Sequence, residues 1–300
     1  MTTDALARPF RAYLALTTAA LCWAGNAIFG RLAVGEISPL LLVSFRWLGA
    51  LLLVLVFARH YLLRDWPVLR MHLRFVFAMG ALGFAVFNAL FYIAAHTTTA
   101  VNLGILQGAI PVFVILGMFA VYRVRVTRIQ LFGVCLTILG VVTVSAGGSL
   151  ERLLAMEFRV GDLLMIMACA LYAGYTVALR HRPAASALGL FGGFVASAFV
   201  TSLPLVATEA LLGQLQWPTP TGWLIICLVS LFPSFLAQVC FLHGVSSIGP
   251  NRAGVFVNLV PVFASLMAVA FLHEAFEKFH AVALALVLCG IWLSERGKPA

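Results

Sequence analysis

Charged side chains are scarce in this 300-residue chain, at 10% of residues, while 63% are hydrophobic and the mean hydropathy is +1.07. A soluble domain carries roughly 25% charged residues to clothe its surface, so the shortage excludes a water-facing globule. Acids are the rarest charge. All ten (Asp4, Glu36, Asp65, Glu151, Glu157, Asp162, Glu209, Glu274, Glu277 and Glu295) fall in termini, loops or the ends of apolar runs. A mid-span carboxylate of the kind that proton-coupled transporters use is therefore not expected. The six cysteines (Cys22, Cys135, Cys169, Cys227, Cys240 and Cys289) lie inside apolar runs without CxxC or Cys/His ligand spacing, which makes them packing residues rather than ligands or disulfides. P-loop, GxSxG and paired-Asp motifs are missing, and His273-Glu274 fails as an HExxH start because Glu277 holds the second ligand position. No enzyme, catalytic residue, metal or cofactor is expected.

What the chain has is long apolar runs. A helix needs about 20 apolar residues to cross the hydrocarbon core, and the runs give spans near 12–34, 38–58, 74–95, 99–121, 128–146, 162–180, 187–209, 221–244, 250–272 and 278–294. They are continuous rather than alternating, so each span is read as a helix and a β-barrel is excluded. The first run extends through Trp23 and Phe29 to Val34, beyond a signal-peptide core, and is read as a retained span. The net charge of +9 marks loops, not a nucleic-acid footprint. Fourteen of the 19 basic residues fall on the side of the termini and four, Arg31, Arg152, Arg159 and Lys278, on the other; Arg46 alone lies within a span. That imbalance predicts an inner-membrane protein with both termini in the cytoplasm.

The chain also repeats itself. Ala109-Ile110-Pro111-Val112-Phe113 returns as Leu259-Val260-Pro261-Val262-Phe263, and Gly140-Val141 as Gly290-Ile291, each 150 residues on; Trp23-Ala24-Gly25 returns 149 residues on as Tyr172-Ala173-Gly174. The expected units are 12–146 and 162–294, of five spans each. An odd number turns the second unit upside down relative to the first, an arrangement that in transporters puts the substrate near the midplane between the repeats.

At this point the residues resemble a known family. The tract Gly249-Pro250-Asn251-Arg252-Ala253-Gly254, then Asn258-Leu259-Val260-Pro261-Val262-Phe263 and His273-Glu274, is similar to the second EamA repeat of the drug/metabolite transporter superfamily. The first half agrees through Leu21-Cys22-Trp23-Ala24-Gly25-Asn26, Pro39 with Arg46, Thr97-Thr98-Thr99-Ala100, Pro111-Val112-Phe113 and Thr127. The resemblance covers about 12 to 294 and implies an alternating-access metabolite exporter; length, tandem repeats and aromatic-rich spans resemble the branch that exports aromatic and other neutral amino acids. One departure stands out. The acid that the family often places after the fourth span of a repeat is Glu274 in the second half but Val124 in the first, so its role cannot be symmetric.

Polar groups at mid-span are costly and hence informative. The substrate-binding candidates are Trp23, Asn26, Asn88, Gln107, Tyr172, Tyr175, Gln238 and Asn258. Asn88 and Gln238 are 150 residues apart, so the two amides are expected to face each other across a cavity or else to tie helices together. Trp23 and Tyr172 are either cavity walls or aromatic packing. Gly108 with Pro111 and Gly254 with Pro261 predict helix breaks at matched places, suited to hinges or a cavity lining. Arg46, about 10 Å below the membrane edge by helical rise, either attracts a substrate carboxylate, closes a gate, or caps helix-end carbonyls. Of the groups that titrate near neutrality, His96 and His243 lie at span ends as candidates for proton coupling; without them the substrate's own gradient would drive transport. The partners implied are a small metabolite, an amino acid or similar, and the lipid bilayer, with no nucleic acid; the oligomeric state is open and a monomer is compatible. A solute channel and an intramembrane enzyme are the alternatives to an exporter.

The topology makes a direct prediction. In a cysteine-free background, cysteines replacing Arg64 and Gln214 should react with membrane-impermeant maleimides from opposite sides, the first from the cytoplasm. Labelling of both from one side would defeat the ten-span count.

Overall fold

A computed structural model describes residues 3–151 and 159–296 of the protein, and every regular element in it is helical. Ten helices have the length and apolarity to cross a membrane: spans 1 to 10 are Phe10–Leu32, Pro39–Phe57, Leu73–Ala95, Ala100–Tyr122, Arg128–Ser145, Val160–His181, Ala187–Leu211, Pro220–Ile248, Arg252–Leu272 and Lys278–Arg296. Among the described residues a separate helix, Arg59–Met71, joins spans 2 and 3. Spans start where the local sequence supplies acceptors for free amides. Thr99, Ser186 and Thr219 each accept from the backbone N–H three residues on, and Thr127 with Gln130 forms a full capping box ahead of span 5.

The repeat is written into the irregularities of the helices. Span 3 widens to a π-helix at Ala81–Val86 and span 8 at Ser230–Leu236. Span 4 breaks at Gln107–Ala109 ahead of Pro111, and span 9 breaks between Val257 and Val260 ahead of Pro261. Spans 4 and 9 both end on a non-glycine residue in the left-handed region, Arg123 (φ 55°) and His273 (φ 52°), again 150 apart. Both breaks fall just ahead of a proline, which has no N–H for the preceding turn.

Packing follows the same plan. Spans 5 and 10 lie against each other through small residues, so close that a Cβ on Gly133 would fall 2.5 Å from the Gly290 carbonyl oxygen; such contacts replace the hydrophobic effect between helices in lipid. Spans 2 and 7 pair through an exchange of carboxylates. Glu209, at the end of span 7, accepts from the Ser38 hydroxyl (2.7 Å) and from the amides of Leu40 (3.1 Å) and Leu41 (3.0 Å) at the start of span 2. At the other face Asp65 accepts from the amide (2.8 Å) and hydroxyl of Ser186, the N-cap of span 7, and from Arg64 Nε at 3.1 Å.

Three of the acids outside mid-span are buried by these contacts and those described below: Asp162 is 0%, Glu209 3% and Asp65 8% exposed. Each is sequestered because it answers donors belonging to the other half of the chain, and a buried donor without an acceptor costs about 1–3 kcal/mol.

Hydrogen bonding from Ser186, with the Arg64 guanidinium alongside, holds the Asp65 carboxyl below its ordinary 3.8. A depressed folded-state value stabilises the fold above the ordinary aspartate range and loses that contribution as pH falls through the lowered value. Asp65→Ala should therefore destabilise the detergent-solubilised protein by about 1–3 kcal/mol at pH 7, seen as a lower Tm. The difference from the wild type should shrink below roughly pH 4. A Tm difference independent of pH would show that the carboxylate charge is not what counts.

Candidate functional site

Arg46 sits on span 2 at 4% exposure, and a cation so placed must replace its hydration shell with fixed acceptors. Four side chains from three other spans do so. Nη1 donates to Asn26 Oδ1 (2.7 Å), Asn88 Oδ1 (2.7 Å) and Tyr92 Oη (2.6 Å), and Nε donates to Ser234 Oγ (2.7 Å). The two π-helices help to aim these partners. Asn88 Nδ2 donates to the carbonyl of Phe84 (2.8 Å) inside the first, and Ser234, inside the second, donates to the carbonyl of Val229 (2.7 Å) five residues back. Tyr92 Oη also donates to Asn26 Oδ1 at 2.9 Å, closing the ring of partners.

The acceptors are all neutral. Among the described residues no carboxylate forms an ion pair with Arg46, so the site carries a net positive charge in a place that water barely reaches. Nη2 makes no hydrogen bond there, and neither does the buried Trp47 Nε1 next to it in the chain. The guanidinium carbon lies 5.0 Å from the Trp47 ring centroid and 5.8 Å from that of Tyr92. From Trp47 an aromatic series runs on through Phe84 (4.9 Å, stacked), Tyr175 (5.5 Å), Tyr172 (5.4 Å) and Phe87 (5.1 Å). Gly83 makes this possible: its missing Cβ would stand 2.5 Å from the Tyr175 ring.

Arg46, Asn26 and Asn88 are thus brought together, and Tyr172 and Tyr175 form an adjoining wall. The other candidates lie apart from this cluster. Trp23 packs on Phe241 of span 8 at 5.2 Å. Gln107 bonds its own helix through the Leu103 carbonyl at 3.4 Å. Gln238 and Asn258 are half-buried without a side-chain hydrogen bond among the described residues, whereas Asn88 is committed to Arg46. Arg46, which holds Asn88, has no cationic counterpart: counted from the N-caps Ser38 and Ser186 of spans 2 and 7, its place in the second half is taken by Phe194. Nor does the Arg46 guanidinium cap backbone carbonyls. Gly108 is packed against Val287 of span 10, while Gly254 faces open space. His96 is exposed at the rim, where partial burial and the Arg31 charge push its imidazole below 6.5; His243 is exposed at the opposite rim. Tyr92, Trp47 and Ser234 were not singled out in the sequence, although Tyr92 follows Asn88 by four residues and so shares its helix face.

The way to Arg46 differs at the two faces. At the face opposite the termini Glu274 accepts from the amides of Ala100 and Val101 (both 2.9 Å) at the start of span 4, and Arg31 donates to the Ala95 carbonyl at 2.6 Å. Asp162 at the start of span 6 accepts from Thr98 Oγ1 and Asn102 Nδ2 (3.3 Å). Below them spans 4 and 9 touch, with Ala264 Cβ only 2.5 Å from where a Gly104 side chain would begin. At the terminal face the equivalent glycine, Gly254, has nothing within 4 Å, and the inner ends of the two spans pack on different partners, span 4 on span 6 and span 9 on spans 1 and 8. The molecule is closed at one face and parted at the other.

The comparisons agree with this architecture. The chain is 26% identical over 287 residues to the uncharacterized transporter YetK of Bacillus subtilis, covering 94% of this chain and 86% of that one. It is 28% identical to an uncharacterized transporter of Archaeoglobus fulgidus, covering 95% and 97%, and 23% identical to the uncharacterized inner membrane transporter YedA of Escherichia coli K12, covering 93% and 88%. A protein crystal structure at 19% identity shares the fold, with a TM-score of 0.62 over 94% of this chain and 95% of its own. The EamA-like transporter family pattern matches twice, at residues 10–146 and 159–296, and with both halves of the chain accounted for, the protein belongs to that family of membrane transporters.

Proposed function

We propose that the protein exports small carboxylate-bearing metabolites, aromatic and other neutral amino acids foremost, by alternating access across the inner membrane. The observation that carries this reading is Arg46: a buried cation without a counter-ion, with Nη2 and the neighbouring Trp47 Nε1 uncommitted. A carboxylate answers both donors, since guanidinium and carboxylate planes match. The Phe84, Tyr175 and Tyr172 series suits an apolar or aromatic side chain at the other end of the same molecule. Asn26 and Asn88 keep the charge in place without neutralising it. The excess of basic residues on the terminal side favours a cytoplasmic location for that face, so its parting corresponds to a state that loads from the cytoplasm. The inner-membrane description of YedA supports the same location.

Radiolabelled amino-acid counterflow in proteoliposomes tests the reading. Flux should saturate, and other neutral amino acids should compete while amine analogues lacking the carboxylate should not. Flux of sugars or nucleotide sugars in its place would reject the substrate class, and conductance without saturation would indicate a channel.

The variants rank by their distance from the cation. Arg46→Gln should lower flux by about a hundredfold, corresponding to about 2.7 kcal/mol, and Arg46→Lys should not rescue it, because a compact ammonium cannot serve acceptors divided between Nη1 and Nε. Asn88→Ala should cost about tenfold and Gln238→Ala less, with expression and helicity maintained in both. Equal losses at Asn88 and Gln238 would contradict the asymmetry of the site.

A further inference from the structure

Among the buried ionisable groups that the Arg46 site does not use, one chain of hydrogen bonds links both halves at the closed face. His280 is the third residue of span 10, and its Nδ1 accepts from the amide of Glu277 at 2.9 Å. That bond fixes the tautomer: Nδ1 carries no proton, so the ring is neutral and Nε2–H faces Asn102 Oδ1 of span 4 at 3.3 Å. The Asn102 amide, oriented in this way, turns Nδ2 toward Asp162 of span 6 and Thr98 Oγ1 (3.2 Å). His280 is 5% exposed, Asn102 3%, Thr98 3% and Asp162 0%.

We propose that His280 is a proton-binding site that latches the gate opposite the termini, its neutral ring holding spans 4, 6 and 10 together and its imidazolium releasing them. An imidazolium has donors at both nitrogens. A proton on Nδ1 would meet the Glu277 N–H head-on, so the ring must turn, leaving the start of span 10 uncapped and the Asn102 carbonyl without its donor. Glu277 and Glu274 lie within electrostatic reach of the ring. A charged His280 therefore draws Glu274 away from the Ala100 and Val101 amides that it holds in the closed gate.

Among the described residues, the other ionisable groups around this point are Asp162 and Arg159 at the start of span 6, Lys278 two residues before the ring, Glu151 on the linker whose Gly148 packs on Phe279, and Arg31, which meets Glu274 at 3.9 Å; His96 lies on the neighbouring span 3–4 linker. Span 4 contributes the uncharged Asn102, and span 5, packed along span 10, has no Asp, Glu, His, Lys or Arg between 129 and 145.

The other half of the molecule supplies an internal control. Gln130 is equivalent to His280, and its Oε1 accepts from the Thr127 amide at 3.1 Å, the same cap made by a group that cannot titrate. Val124 stands where the second half has Glu274. The titratable cap is accordingly found at one face and its untitratable counterpart at the other. Acid outside the cell would open the gate outward, which adds proton linkage to a carrier whose spans hold no mid-depth carboxylate.

This inference rests on the alternating-access reading, so its test observes the gate in the absence of substrate. Spin labels at Thr97→Cys and Ala275→Cys, both exposed positions on opposite sides of the gate, report its width in a cysteine-free protein in nanodiscs. Between about pH 8 and pH 5, the long-distance population should rise by about tenfold. His280→Gln, which installs the residue used by the other half, should keep the short distance at every pH, and so should His280→Asn; His96→Ala should behave like the wild type. A wild-type distance that ignores pH would overturn the proposal, and so would a response that survives in either His280 variant or vanishes with His96. Loss of amino-acid flux with the gate response intact would instead count against the substrate.

Discussion

Every helix that starts inside a membrane protein brings amide N–H groups that need acceptors, and here much of the tertiary structure depends on how that demand is met. Local caps supply some. The rest come from carboxylates that cross between the halves: Glu209 to Leu40 and Leu41, Glu274 to Ala100 and Val101, Asp65 to Ser186. Glu36 joins them by bonding the hydroxyl of Thr219, the N-cap of span 8, whose amide donates to the Glu36 carbonyl oxygen at 3.0 Å. A carboxylate at a helix N-terminus is favoured by the local dipole as well as by the hydrogen bonds. This is how a chain with so few acids can bury several of them.

The contacts divide into two kinds. Asp65 on Ser186 and Glu209 on Ser38 play matching parts, one at each face: the first ties the Arg59–Met71 helix to the start of span 7 and the second ties the end of span 7 to the start of span 2, in a symmetric frame. Glu274 and the series from Asp162 to His280 have no counterpart at the other face, where Val124 and Gln130 stand. A symmetric frame gives the two faces similar mechanics, and an unsymmetric latch gives them different chemistry. The touching of Gly104 with Ala264, against the open surroundings of Gly254, is the packing expression of that difference.

The central site shows the same economy of charge. A buried ion pair would cancel itself and leave little for a ligand to recognise, whereas Arg46 held by Asn26, Asn88, Tyr92 and Ser234 keeps its charge while its desolvation is largely offset by short, charge-assisted bonds. The aromatic neighbours Trp47 and Tyr92 add to that offset through their ring faces.

Much of this was legible in the sequence because the signals are one-dimensional. Run length counts the spans, and a repeat of 150 residues carrying an odd number of spans inverts the second half. Proline at 111 and 261 marks the broken helices, since the missing N–H is a property of the residue itself. Asn26, Arg46 and Asn88 could be suspected because polar groups at mid-span need a reason. Tertiary structure decided what depends on partners far away in the chain. Apolar periodicity carries no mark of a π-helix, so the aim of Ser234 and Asn88 could not be read from it. The burial of Asp162, Glu209 and His280 was hidden because a residue at the end of a span looks solvated until the helix that covers it, 60 to 180 positions away, is in place. Asn88 and Gln238 are matched by the repeat but treated differently by the fold, for Arg46 has no cationic twin and takes Asn88, with Asn26, Tyr92 and Ser234, as its acceptors.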